Sequence, residues 1–219
     1  MNHAERREME SVLQERGMTP APQKDSPDLE IVHTCSVTGQ AAAKSRNAIR
    51  RAKKNGKHVL VTGCFTGTDL EVAQELGDTI VTQAGDTPMI ERFACEVDDW
   101  LQQPHQKSKP ATTSLPIATL PTQPGPHTRA ELRIQDGCDA HCTFCIIPKI
   151  RTTLRSKTIE DTIVEATRLV ELGHKEIVFT GIFIGAYGHE TALRRKQSNS
   201  DGEYLADLLD AVAQIEGLQ

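Results

Sequence analysis

Short apolar runs alternate with amphipathic stretches along most of this chain. Residues 2–16 form a charged segment that places Met9, Val12 and Leu13 on one side of a helix. LEIVHT (29–34) is a β-rich run, and residues 37–55 predict a helix closed by Gly56. HVLVTG (58–63) predicts a second strand, TDLEVAQELG (68–77) a helix with Thr68 as its cap, and TIVTQ (79–83) a third strand. Residues 86–102 predict another helix. After a polar interval the pattern resumes with a strand at ELRIQ (131–135). A helix at 158–173 follows, with Ile159, Ile163, Ala166 and Val170 on one face and Gly173 at its end. KEIVFTG (175–181) is the next strand. Residues 194–202 are a polar loop, and a helix at 203–216 aligns Leu205, Leu208, Leu209 and Val212.

Strand–helix alternation of this kind predicts an α/β fold with parallel sheets. Residues 1–103 form a first, Rossmann-like unit, and residues 129–219 a second. Between them, residues 104–128 are rich in Pro, Thr, Ser, Gln and Lys without apolar periodicity, the composition of a linker. The second unit holds only two βα repeats, whereas a complete (β/α)8 barrel takes about 250 residues. The chain is therefore expected to stop inside that domain. Parallel α/β folds gather ligand groups at the carboxyl ends of strands, and Cys35 and Cys64 each follow such an end.

Charge narrows the class. With 25 Lys and Arg against 30 Asp and Glu, the net charge is −5, so a nucleic-acid partner would need a local basic patch. Residues 41–58 contain Lys44, Arg46, Arg50, Arg51, Lys53, Lys54 and Lys57 and no acid. Such a helix can track phosphates or simply present a solvated face. No stretch reaches the length of a membrane span, and the N-terminus has no apolar signal core, so a cytoplasmic protein is expected. In a reducing compartment six cysteines point to metal ligands, catalytic groups or buried thiols rather than disulfides. Cys95, inside a helical pattern, reads as a buried or partly exposed thiol.

The strongest chemical signal is Cys138-x-x-x-Cys142-x-x-Cys145, directly after the strand at 131–135. Three thiolates on a short loop can hold three corners of a cuboidal [4Fe-4S] cluster and leave the fourth iron open. The competing reading is zinc, with His141 as fourth ligand, but zinc sites of this kind pair two CxxC-like halves and the chain has no second half. Lys149, Arg151, Arg155 and Lys157 follow the loop and could bind a phosphate or a carboxylate.

The stretch RAELRIQDGCDAHCTFCIIPKIRTTLRS (129–156) resembles the radical S-adenosylmethionine (SAM) methylthiotransferases. HTCSVTGQAAAKSRNAIRRA (33–52) and VTGCFTG (61–67) resemble the surroundings of the second and third cysteines of that family's N-terminal domain. MNHAERREME (1–10) is similar to the residues after its first cysteine. IQDGC (134–138) and FTGIFIGAYG (179–188) resemble most the branch acting on N6-threonylcarbamoyladenosine beside the tRNA anticodon. One departure is Arg151-Thr152, where the family often has Arg-Gly.

The resemblance implies a partial TIM barrel for the second unit and two clusters. A SAM-binding [4Fe-4S] cluster would rest on Cys138, Cys142 and Cys145, and an auxiliary cluster on Cys35, Cys64 and a cysteine preceding Met1. The chain is thus expected to be incomplete at both ends and inactive by itself. Phe144 would lie near the adenine of SAM, and Thr180 and Gly181 near its methionine part, although an ordinary strand-to-loop turn also explains the latter pair. The implied reaction cleaves SAM to a 5′-deoxyadenosyl radical, activates C2 of the adenine and adds a methylthio group, with sulfur from the auxiliary cluster and methyl from a second SAM. Implied partners are tRNA and an electron donor such as a flavodoxin or ferredoxin. Alternatives are another tRNA adenosine, a ribosomal protein, or a remnant that holds a cluster without catalysis.

Overall fold

The computed structural model describes residues 3–21, 27–54, 58–82, 88–102, 129–193 and 204–218. Two compact units divide the chain: one spans Val12–Leu115, the other joins Asn2–Ser11 to Pro116–Gln219. Among the described residues no helix is long and apolar enough to cross a membrane.

The first unit is a three-stranded parallel sheet in the order β1 (Leu29–Thr34), β2 (His58–Gly63), β3 (Thr79–Val81). β2 is central, and five of its residues are buried in succession, as a strand covered on both faces requires. Helix α1 (His3–Glu15) precedes β1, and α2 (Gly39–Lys54) crosses over from β1 to β2. α2 turns Ser45, Ile49 and Ala52 inward, where Ile49 and Ala52 meet Val32, Val59, Val61, Phe65 and Ala73 in one apolar cluster. Two short helices, α3 (Phe65–Thr68) and α4 (Leu70–Leu76), stand where one helix with a Thr68 cap is predicted. Thr68 cannot cap because it ends α3, and its hydroxyl donates back to the Phe65 carbonyl at 3.2 Å. The predicted C-cap Gly56 lies outside the described residues. α5 (Met89–Gln102) buries Met89, Phe93, Val97 and Trp100 and leaves Cys95 exposed.

The second unit is a mixed sheet in the order β5 (Arg155–Ser156), β4 (Arg129–Asp136), β6 (Glu176–Gly181). β4 and β6 are parallel, while β5 returns antiparallel, with Asp136 opposite Arg155. A four-residue helix, α6 (Ile147–Ile150), follows the cysteine loop. α7 (Ile159–Glu171) makes the crossover from β5 to β6, capped by Thr158, whose hydroxyl accepts the Asp161 N–H at 3.1 Å. A 3-10 turn (Ile184–Ala186) and α8 (Leu205–Val212) complete it. Ala130, Leu132 and Ile134 of β4 pack with Ala166, Leu169, Tyr187, Leu208 and Val212. On α7 the predicted face turns inward, with Ala166 buried and Ile159 and Ile163 packed against the same cluster, and the buried stripe widens to take in Thr162, Glu165 and Leu169. On α8, Leu209 is exposed, against expectation, because Leu205, Leu208 and Val212 already cover the sheet. The predicted linker and the 194–202 loop lie outside the described residues.

Candidate iron–sulfur and cofactor site

The cysteine loop leaves the carboxyl end of β4, where the chain must turn sharply away from the sheet. Gly137 makes the turn with φ +78°; a Cβ there would stand 2.0 Å from the Thr153 carbonyl oxygen, so only glycine fits. The next amide, of Cys138, donates to the Arg151 carbonyl at 3.0 Å. Cys138 is buried with Ala186 and Ala192, Cys145 is partly exposed, and Cys142 is exposed. The Cys145 amide donates to the Cys142 carbonyl at 3.2 Å, which folds the distal half of the loop. Asp139, the loop's carboxylate, accepts from the Thr191 hydroxyl (2.6 Å) and the Ala192 N–H (2.7 Å). Partial burial opposes its charge, but these hydrogen bonds hold its carboxyl below the usual range. What the loop presents is therefore soft thiols, the donors that suit iron–sulfur chemistry. Among the described residues, however, no three His, Cys, Asp or Glu side chains are drawn together as a metal-ligand set.

Phe144 is 92% exposed on this loop, with no packing of the sort that buries a core aromatic. Thr180 and Gly181 end β6, directly beside β4, with Thr180 paired to Arg133 and Gly181 to Gln135. The Thr180 hydroxyl is buried and has no hydrogen-bond partner among the described residues. A buried, unpaired hydroxyl costs free energy unless a ligand or water completes it.

The base of the loop is held by an ionic network that sequence reading missed. Arg151 is buried, and its guanidinium donates to Asp136 at 2.8 Å and to Glu5 at 3.1 Å. Arg133 donates to Asp136 at 3.1 Å and to Glu8. Burial works against the Arg133 charge, but Glu8, Asp136 and Glu5 outweigh it and raise its pKa. Arg151 is thus engaged in protein contacts rather than offered to a phosphate. Lys157 is likewise engaged, 2.6 Å from Glu165. The available signal was the acidic residues of a predicted amphipathic helix; the partner, some 146 residues distant, was not readable.

In the first unit, β1 and β2 run in register to the pair Thr34 and Gly63, so Cys35 and Cys64 emerge from adjacent strand ends. Gly63 has φ +99°, and a Cβ there would lie 2.2 Å from the Thr34 carbonyl oxygen. The Cys64 amide donates to that same carbonyl at 3.1 Å. Cys35 is fixed by Ser45, whose hydroxyl accepts the Cys35 N–H (3.1 Å) and donates to its carbonyl (2.8 Å). Both thiols are partly exposed, two soft donors suited to a cluster that takes further ligands from elsewhere.

Residues 1–84 match the model of the family described as "Uncharacterized protein family UPF0004". The chain is 34% identical to the threonylcarbamoyladenosine tRNA methylthiotransferase MtaB of Bacillus subtilis (strain 168), over 87% of this chain and 43% of that protein. It is 32% identical to a ribosomal protein uS12 methylthiotransferase RimO of Thermus thermophilus, over 95% of this chain and 46% of that protein. The corresponding MtaB protein of Chlamydia pneumoniae is 30% identical over 88% of this chain and 40% of its own length. The chain spans less than half the length of these relatives. Over the residues it covers, the chain is similar to methylthiotransferases of both kinds, and it shares with the family model the segment that carries Cys35 and Cys64.

Proposed function

We propose that this chain is part of a radical SAM methylthiotransferase that modifies C2 of N6-threonylcarbamoyladenosine beside the anticodon of tRNA. The observation that carries the reading is the three-cysteine loop springing from β4, next to the end of the parallel strand β6. Cys138, Cys142 and Cys145 would hold a [4Fe-4S] cluster, and Cys35 and Cys64 would contribute to an auxiliary one. When bound, the clusters and SAM supply reductive sulfonium cleavage, sulfur and methyl. The chain's own part is to position the thiols and to shield them. Gly137 and the Cys138–Arg151 hydrogen bond set the loop's path. Phe144 is available to cover the adenine, and the Thr180 hydroxyl and the Gly181 backbone to meet the methionine part. An electron-donor protein of the flavodoxin or ferredoxin type and a cytoplasmic location follow from the same reading.

Two observations support tRNA as the substrate: the likeness to the B. subtilis tRNA enzyme and the basic outer face of α2. Likeness to the T. thermophilus uS12 enzyme, over 95% of the chain, favours a ribosomal protein as the second reading. The test begins with anaerobic reconstitution of the full chain and its Cys142→Ala variant. About four irons should depend on the loop, and Cys142→Ala should lose them. Unchanged iron in the variant would refute the loop assignment, and stoichiometric zinc would favour a zinc site. Mass analysis of tRNA nucleosides and of uS12, after incubation of the complete enzyme with each, separates the two substrates.

A further inference from the structure

Gln135 occupies the point where β4 bulges against β6. Arg133 pairs with Thr180 and Gln135 with Gly181, so Ile134 is an extra residue on β4. The bulge turns two successive side chains, Ile134 and Gln135, into the interior and breaks the strand's alternation. The Gln135 side chain is 2% exposed in a strand otherwise lined with Ala130, Leu132 and Ile134. A polar group so placed is costly unless it is fully bonded.

Its carboxamide is bonded on both sides. Nε2 donates to the carbonyls of Asp136 (3.0 Å) and Gly137 (2.8 Å), the two peptide groups that lead into Cys138. Oε1 accepts the Phe183 N–H at 2.8 Å, in the turn that follows β6. Gly181 keeps the approach close, since a Cβ there would lie 3.0 Å from both Cβ and Oε1 of Gln135. One side chain thus ties the base of the cysteine loop to the turn after β6. An aliphatic residue would fill the same space but leave two carbonyls and an amide without these bonds.

We propose that Gln135 is a positioning residue: its amide fixes the gap between the cysteine loop and the Gly181–Phe183 turn, and so aligns a ligand of the loop's cluster with the end of β6. The proposal rests on the reading of the loop as a SAM-cluster site. Gln135→Leu removes all three hydrogen bonds at similar volume. Gln135→Glu keeps an acceptor for Phe183 but sets a carboxylate against two carbonyl oxygens.

The experiment has two arms on the full chain. In metal-free protein, hydrogen exchange of the Phe183 amide should quicken at least about tenfold in Gln135→Leu, with Leu132 of the strand interior unchanged. In reconstituted protein, wild type and Gln135→Leu should hold equal iron. The change that SAM produces in the electron paramagnetic resonance spectrum of the reduced cluster should then require roughly tenfold more SAM in the variant. Gln135→Glu should retain Phe183 protection and show the same shift in SAM titration, and it serves in that arm if the leucine variant does not fold. Unchanged Phe183 exchange in the leucine variant, or SAM titrations within twofold of wild type, overturns the proposal. Failure of wild type to take up iron would defeat the cluster reading, and the exchange arm would still decide whether Gln135 holds loop and turn together.

Discussion

Glu165 shows how one side chain couples burial to pH. It lies on the inward face of α7, mostly buried, with Lys157 at 2.6 Å. Burial raises its carboxyl above the ordinary glutamate value of 4.5, and the attraction of Lys157 offsets only part of that rise. A carboxyl with a raised folded pKa binds its proton more tightly in the folded state than in the unfolded one. Its contribution to stability is complete below 4.5 and declines as pH climbs through the folded value. Glu165→Gln should therefore lose less thermal stability than wild type between pH 4 and pH 7. Melting temperatures of the two proteins across that range check it. A steeper decline in the variant would mean that the Lys157 pair, not burial, governs the site.

At the scale of elements, the first turns of α1 and the segment after α6 depend on one another through buried charge. Glu5 is 0% exposed and Arg151 is buried beside it. Neither could stand alone in the interior, because an unpaired buried ion keeps its desolvation cost without its partner's attraction. Arg151→Met should lower unfolding free energy by about 3–5 kcal/mol, read from urea denaturation. Adding Glu5→Gln to that variant should recover part of the loss, since it removes the orphaned carboxylate. A double variant less stable than Arg151→Met would show that Glu5 takes its main support from Arg133 instead. The link matters for the site because the Arg151 carbonyl receives the Cys138 N–H.

For the molecule as a whole, the distribution of charge says more than its sum of −5. On α2, Arg46 faces Asp69 at 3.9 Å and Lys53 pairs with Asp78. Lys44, Arg50, Arg51 and Lys54 are exposed, and by helical geometry they share an arc of about 120° opposite the buried Ser45, Ile49 and Ala52. If tRNA is the substrate, this face is a natural track for its phosphates. Changing all four residues to Glu should weaken binding of a stem-loop RNA and reduce the slope of log affinity against log salt by roughly three. The fold should persist, because none of the four is buried. Equal affinity and slope in both proteins would leave α2 a solvated face and favour the ribosomal-protein reading.

Local pattern alone carried much of this architecture. Apolar runs at 29–34 and 58–63 became parallel strands, and the cysteines placed at strand ends in the sequence stand at strand ends in the structure. These features are local: strand periodicity, glycine turns and thiol spacing are written within a few residues of one another. The short β5, the 3-10 turn after β6 and the division between α3 and α4 were not legible, because two- to four-residue elements show no period. Nor could the sequence reveal that Gln135, in an apparently ordinary strand, turns inward at a bulge to reach the Phe183 amide. The same holds for Glu5 and Arg151, which the chain sets far apart and only folding brings to 3.1 Å. The residue types of the candidate site were determined by sequence. What holds its loop in place was decided by tertiary structure, because a buried amide or ion finds its partners across the chain rather than along it.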